Sequence, residues 1–508
     1  MKIDIKKIKK SIDKIDNYNV VKKTPLQKQE QLSLRYGNNI FLKREDLQLI
    51  NSFKIRGAMH KFSKLTKTQL KNGVIAASAG NHAQGVAMSA KKFKCKAKII
   101  MPDITPAIKV KAVKRLGAEV VLHGKNIAES LLHAFELEKS EKLTFIHPYD
   151  DLDVISGQGT IGKEIMDAFQ KPIHAIFCCV GGGGLMTGIA AYIKAINPSI
   201  KIIGVEALGA EAMTKSLKSN KRIALKQVAL FAEGAAVKRV GIHTFNIAKK
   251  YVDEMLVVDN DSICAAIKDT FEDSRVVLEP AGALAVAGMK QYLQKNKIEN
   301  ENIICIASGA NLNFDRLRFV AERAEIGEQR EAIIAVSISE KPGAFKNFCE
   351  LIGNRNITEF NYRYSNSSEA QIFTGVSISK ISEVKSIIKS LESSGLKALD
   401  LTSNELAKSH LRHLVGGHAP AVKNELIYRF EFPERPGALM NFLNLLNEEW
   451  NITLFHYRNH GADQARVLVG IQVPSKQEKA FKKFLSQLSY PYWNESSNLG
   501  YNLFLGNK

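Results

Sequence analysis

Four short stretches of this chain carry residue types that can do chemistry on a small amine-bearing molecule. The first is Ser52-Phe53-Lys54-Ile55-Arg56-Gly57-Ala58, just after the charged run Lys43-Arg44-Glu45-Asp46. The ordinary reading of Lys54 is a surface lysine opening a helix. Held between an aromatic and an apolar residue, it can instead lose hydration, and a desolvated ammonium yields its proton more readily. It is then a nucleophile and afterwards a base. The second stretch, Gly181-Gly182-Gly183-Gly184 followed by Leu185, lies between an apolar strand pattern and a helical one. Without Cβ atoms its backbone can close around a small anion and aim several N–H groups at it, with the helix terminus adding its favourable end. It is not a dinucleotide fingerprint, because the GxGxxG spacing and the later ribose carboxylate are lacking.

The third stretch, Ser78-Ala79-Gly80-Asn81-His82-Ala83-Gln84-Gly85, is another strand-to-helix junction. Asn81 can donate to an anionic ring oxygen, though alone it reads equally as a helix cap. Ser78 and the backbone of Ala79, Gly80, Asn81 and His82 can hold a substrate carboxylate. The His82 side chain reads as structural, since Lys54 already supplies a base. The fourth, Ala307-Ser308-Gly309-Ala310-Asn311, sets a hydroxyl at a strand end, where it can meet a pyridine nitrogen. An amine, an anion cradle, a donor for a ring hydroxyl and a group for a ring nitrogen are together what pyridoxal 5'-phosphate requires. Phe53 can pack near that ring. A hydroxyl on the nitrogen does not force its protonation as a carboxylate would, so loss of a β leaving group competes well with transamination or racemisation. The products would be a keto acid and ammonia.

Positioning these stretches takes parallel strands with helical crossovers. Short apolar runs at Asn39–Lys43, Val74–Ala77, Ala97–Met101, Glu119–Leu122, Ala175–Val180, Lys201–Glu206, Glu254–Val258 and Ile303–Ala307 alternate with helical patterns, the mark of βαβ units. One helix is expected from Gly157 to about Phe169, and a partly helical leader over the first 25 residues. Two α/β subdomains then share the first 325 residues, the chain crossing back between them.

The tail is a repeat. Lys341-Pro342-Gly343-Ala344-Phe345 corresponds to Arg435-Pro436-Gly437-Ala438-Leu439, Asn356-Ile357-Thr358 to Asn451-Ile452-Thr453, and Tyr362-Arg363 to Tyr457-Arg458. Each copy reads as βαββαβ with helices on one sheet face. The expected division is a catalytic region at 1–325, a first module at 326–404, a linker at 405–423 and a second module at 424–508. Small duplicated modules behind a complete enzyme core serve effector binding or assembly more often than pure structure.

Composition excludes other classes. With 508 residues, two or three domains are expected. The net charge of +21 is spread through amphipathic segments rather than gathered in a basic stripe, so no nucleic-acid partner is expected. The weakly polar window Ile176–Ile193 contains the four glycines, which makes it strand, loop and helix rather than a membrane span. Six scattered cysteines without a CxxC pattern suit a reducing cytoplasm and provide no metal framework.

These motifs resemble those of the serine/threonine dehydratase family of fold-type II pyridoxal-phosphate enzymes. The tail, with Glu359-Phe360-Asn361-Tyr362-Arg363 and Leu454-Phe455-His456-Tyr457-Arg458, resembles the paired ACT-like modules of its biosynthetic members. The resemblance implies a tryptophan-synthase-β-like catalytic region. It implies conversion of L-threonine to 2-oxobutanoate and ammonia, committed toward isoleucine and inhibited by it, with valine opposing, in a homotetramer. Carried over by motif, Lys54 holds the cofactor, Asn81 its ring hydroxyl, Gly181 to Leu185 its phosphate and Ser308 its ring nitrogen. Tyr362 and Tyr457 are the candidates for the effector sites. Related serine racemases place a second base where Ala79 stands, which disfavours racemisation. They also use an acidic metal ligand where Ala212 stands, downstream of the residue matching Glu206 and next to Glu211, so no divalent metal is expected. The rivals are a serine dehydratase or another β-eliminating or β-replacing enzyme, and an amino-acid sensor with an inactive core.

Overall fold

The computed structural model describes residues 4–505 except 329, 340–347, 349–350, 353–354, 356, 364–368, 414–423, 434–440, 443–444, 447–449, 451 and 459–463. At 325, 357–363, 369–370, 452–453, 455–458 and 465 it describes the backbone alone. The chain divides into two compact units, residues 1–313 and 314–508.

Among its described residues the first unit holds ten strands: β1 (Leu26–Lys28), β2 (Asn39–Arg44), β3 (Val74–Ala77), β4 (Ala97–Met101), β5 (Glu119–Leu122), β6 (Thr144–Phe145), β7 (Ala175–Cys179), β8 (Lys201–Ala207), β9 (Glu254–Val258) and β10 (Asn302–Ala307). They form a six-stranded sheet ordered β1-β2-β10-β7-β8-β9 and a four-stranded sheet ordered β5-β4-β3-β6. Pairing is parallel except at the β1 edge. Every residue of β3 and β7 is buried, as a parallel strand covered on both faces must be. The chain leaves the larger sheet after β2, builds the smaller one, and returns at β7. The stretches around Ser78, Gly181 and Ser308 follow β3, β7 and β10 at their carboxyl ends, where parallel sheets open toward ligands.

The helix expected from Gly157 begins five residues earlier, spanning Leu152–Ala168, with the Asp151 side chain accepting from the N–H groups of Asp153 and Val154. Gly157 and Gly159 are therefore interior, and their role is close approach. A Cβ on Gly157 would lie 2.6 Å from both Arg56 O and Gly57 Cα in the lysine helix, Lys54–Lys64. A Cβ on Gly159 would lie 2.8 Å from Gly188 O in the helix that follows the glycine turn, Gly184–Ile196. The helix 152–168 thus bridges the lysine helix and the glycine-turn helix.

The second unit contains the repeat as two antiparallel sheets. Strands β11 (Glu331–Ser339), β12 (Ile357–Arg363), β13 (Glu369–Ser377) and β14 (Lys397–Asp400) are ordered β12-β13-β11-β14. Strands β15 (Glu425–Pro433), β16 (Ile452–Arg458), β17 (Gln464–Gln472) and β18 (Tyr492–Asn494) are ordered β16-β17-β15-β18. The likeness extends to a register shift at Ile357/Glu359 and at Ile452/Leu454. Alternation splits β11: Ile334, Val336 and Ile338 pack on Val384, Ile387 and Leu391 of the helix Ser382–Ser393. Its other face sends Ile333 and Ala335 into a core shared with Ile427 and Leu468 of the second sheet. The first part of the expected linker belongs to that core: Glu405–Ser409 is helical, and Leu406, Ala407 and Leu411 are buried there. The rest of the linker and both Pro-Gly turns lie outside the described residues.

Adding one methyl at Gly157 must push the lysine helix off the bridging helix, because the atoms it meets are backbone. Gly157→Ala is expected to lose about 1–3 kcal/mol, read as a lower denaturation midpoint at unchanged m-value.

Candidate active site

The geometry around Lys54 begins with what holds its helix. Arg56, two residues on and fully buried, makes a bidentate pair with Glu45 (Nε–Oε2 2.6 Å, Nη2–Oε1 2.7 Å) and reaches Glu164 of the bridging helix (Nη1–Oε1 2.6 Å). Lys43 donates to Glu164 Oε2 at 2.6 Å. Buried charges demand partners, so β2, the lysine helix and the bridging helix are fixed together. On the flank, Lys61 pairs with Asp151 at 2.7 Å and with Asp153 at 3.0 Å. The backbone joins the first and fourth motifs as well: Phe53 N donates to Ser308 O, and Ala310 N to Asn51 O.

Lys54 Nζ donates to Pro148 O at 3.0 Å and stands 5.2 Å from the centroid of the buried Phe53 ring. Burial lowers its pKa to about 8, against the opposing pull of Cys179 and Glu279. Among the described residues it forms no ion pair. This amine gives up its proton more readily than an ordinary lysine, as a nucleophilic lysine must.

At the glycine turn a side chain has no room. A Cβ on Gly181 would come within 2.7 Å of Ala235 O, on Gly182 within 2.1 Å of the Tyr149 ring, and on Gly184 within 3.0 Å of Tyr149 O. Gly183 has φ +96° and accepts from the N–H and hydroxyl of Thr187, while Thr244 Oγ1 donates to Gly182 O at 2.7 Å. Buried Leu185 stands in the first turn of the 13-residue helix. The cradle is closed on its sides and backed by a helix N-terminus, which suits a phosphate.

Asn81 is clamped. Its Nδ2 donates to Glu279 Oε1 at 2.6 Å, and its Oδ1 accepts from Asn311 Nδ2 at 2.6 Å. The amide keeps a second hydrogen for a ring oxygen. Ser308 Oγ, buried, donates to Ala281 O at 3.3 Å and accepts from Cys179 Sγ at 3.2 Å. Burial pushes the Cys179 thiol up to about 11, so it remains a donor. Ser78 Oγ accepts from Gly80 N at 3.2 Å, with Ala79 half-buried and Gly80 exposed between Ser78 and the helix. His82 is buried, its Nε2 2.9 Å from Ile146 O, and burial first, then the Lys54 charge, lowers its pKa to about 3. It is a neutral structural ring.

Two features escape sequence reasoning. The segment Ile146–Asp150 is a hub: Ile146 O meets His82, Pro148 O meets Lys54, and Tyr149 walls the glycine turn. Asp150 accepts from Ile242 N at 2.7 Å and His243 N at 2.8 Å, capping the helix Ile242–Tyr251. Its one sequence signal is Pro148 amid polar turn residues. The other is Glu279. Burial raises its carboxyl to about 7, against Asn81, Lys109 and Lys54.

Both oxygens of Glu206 are engaged. Oε1 accepts from Met213 N and Oε2 from the N–H and hydroxyl of Thr214, at the start of the helix Ala212–Lys218. Glu211 pairs with Lys215 at 2.6 Å. Tyr362 and Tyr457 occupy equivalent places on β12 and β16, paired with Ile372 and Val467; their side chains lie outside the described residues. No described helix is long and apolar enough to cross a membrane.

A family model described as pyridoxal-phosphate dependent enzyme matches residues 18–309, and one described as the C-terminal regulatory domain of threonine dehydratase matches 322–411 and 416–505. The fold and the site thus define a pyridoxal-phosphate enzyme with a regulatory tail. The biosynthetic L-threonine dehydratase of Burkholderia multivorans is 52% identical over 96% of this chain and 97% of its own length. Threonine dehydratase 1 of Solanum lycopersicum is 52% identical over 96% of this chain and 80% of its own. The processed threonine deaminase isoform 2 of Solanum lycopersicum superposes with TM-score 0.62 at 48% identity, covering 63% of this chain and 93% of that one. The chain belongs to the biosynthetic threonine dehydratase family.

The glycine turn yields a sharp expectation. Gly182→Ala drives a methyl into the Tyr149 ring and is expected to weaken pyridoxal-phosphate affinity more than tenfold, measured by titrating apoprotein through the visible absorbance.

Proposed function

We propose that this protein deaminates L-threonine to 2-oxobutanoate and ammonia, the first step of isoleucine synthesis, with isoleucine as inhibitor and valine opposing it. The observation that carries the reading is the half-buried Lys54 amine, lowered to about 8 by desolvation and free of any described ion pair, in a unit that also holds a closed glycine cradle. When bound, pyridoxal phosphate supplies the electron sink that makes an amino acid's α-proton removable.

Lys54 Nζ would hold the cofactor at its aldehyde and would serve as the base for the substrate α-proton. The N–H groups of Gly181 to Leu185 would hold the phosphate. Asn81, aimed by Glu279 and Asn311, donates to the ring hydroxyl. Ser308 Oγ would meet the ring nitrogen, and Phe53 would pack beside the ring. Ser78 and the backbone from Ala79 to His82 receive the substrate carboxylate. The residues present suit the group in charge and in space.

The reaction is placed in the cytoplasm, in a homotetramer whose catalytic region ends near 325. Modules at 326–404 and 424–508 hold effector, with Tyr362 and Tyr457 as contacts. Supporting this is the matched regulatory domain, present twice. No divalent metal is assigned at Glu206, whose oxygens cap a helix.

Oxobutanoate release from threonine, with and without isoleucine, tests the whole reading. Turnover suppressed by isoleucine is expected, and no turnover at all would end it. The lysine has its own signature. Uptake of pyridoxal phosphate by apoprotein is expected to accelerate about tenfold per pH unit and to level off above about 8, since only the neutral amine attacks. An ordinary lysine would keep accelerating beyond pH 10.

A further inference from the structure

An ion pair joins the four-stranded subdomain to the six-stranded one beside the ring-side clamp. Lys109, on the helix Ala107–Arg115, reaches Glu233 Oε2 at 2.5 Å. That helix rests on the smaller sheet, with Val113 buried among β3 and β4 residues. Glu233 opens the single turn Glu233–Ala235, which lies against the helix Pro280–Asn296: a Cβ on Gly234 would stand 3.1 Å from Ala281 Cβ. The same Cβ would stand 3.5 Å from Glu279 Oε1 and 3.7 Å from Asn81 Nδ2. The next residue, Ala235, supplies the backbone wall of Gly181. The turn therefore touches the ring-side clamp and the phosphate cradle, while its acidic end is tied to the opposite subdomain. Both charged side chains are about four-fifths covered, so salt and water screen the pair less than a surface pair.

We propose that Lys109 and Glu233 are a positioning pair. They hold the subdomain bearing the substrate-carboxylate turn Ser78–His82 closed against the turn Glu233–Ala235. Neither residue is assigned to substrate or cofactor, although the Lys109 charge acts on Glu279 of the clamp. It sets the width of the slot in which threonine lies between the two, and so governs substrate binding rather than cofactor retention. Gly234 favours the same approach, since a Cβ there would stand 3.1 Å from Ala281 Cβ, tighter than ordinary contact.

The proposal rests on the threonine reading above, and parent turnover on threonine tests that reading separately. In the full-length holoenzyme, Lys109→Met and Glu233→Gln keep side-chain volume and remove one charge each. Each is expected to raise KM for threonine about fivefold, the ceiling for one partly exposed pair. The decline in kcat should be smaller, and the bound cofactor, read by its visible absorbance, should be retained. The double variant should cost less than the sum of the two single ones, because the pair's own interaction is lost in each. The reversed pair, Lys109→Glu with Glu233→Lys, should recover part of the KM. Unchanged KM in both single variants, additive effects in the double variant, or loss of cofactor absorbance in either single variant would overturn the proposal.

Discussion

The site depends on helices approaching closer than side chains allow. The bridging helix Leu152–Ala168 meets the lysine helix at Gly157 against Gly57, and the glycine-turn helix at Gly159 against Gly188. At each crossing a methyl would have to enter backbone. Three helices are thereby held as one block, and two of them begin at the nucleophile and at the anion cradle. The buried cluster of Arg56, Glu45, Glu164 and Lys43 locks the same block by another means. Removing one member of such a cluster costs about 3–5 kcal/mol, because its partner is left charged and dry. Steric closeness sets the distance between helices, and the charges set their register.

On that block, the chemistry is divided between side chains and backbone. Lys54 contributes an amine whose proton is loosened by burial, and Ser308 and Asn81 contribute directed hydrogen bonds. The cradle contributes nothing but N–H groups and the absence of Cβ atoms. The segment Ile146–Asp150 serves all of them at once, with a carbonyl for Lys54, a ring for Gly182 and a cap for the helix beside the turn. A site assembled this way tolerates few small changes at its glycines and more at its periphery.

Much of this was legible in the sequence because parallel strands buried on both faces leave unbroken apolar runs. The eight runs read along the first 325 residues coincide with strands. The repeat was legible because its copies kept their turn and strand residues. The start of the bridging helix was not, since Gly157 and Gly159 act as breakers in local propensity and as spacers in tertiary packing. Glu279 was hidden for a related reason. A glutamate before a proline is an ordinary helix opening, and its partner Asn81 is 198 residues away. Pro148 contributes only its carbonyl, which no residue pattern records.

The central claim is that the Lys54 amine is covalently joined to the cofactor aldehyde. Borohydride reduction of active holoenzyme followed by peptide mapping tests it most directly. The account predicts one stable pyridoxyl adduct, on the peptide containing Ser52-Phe53-Lys54. An adduct on another lysine, or an unmodified Lys54 in protein that had been active, would contradict it.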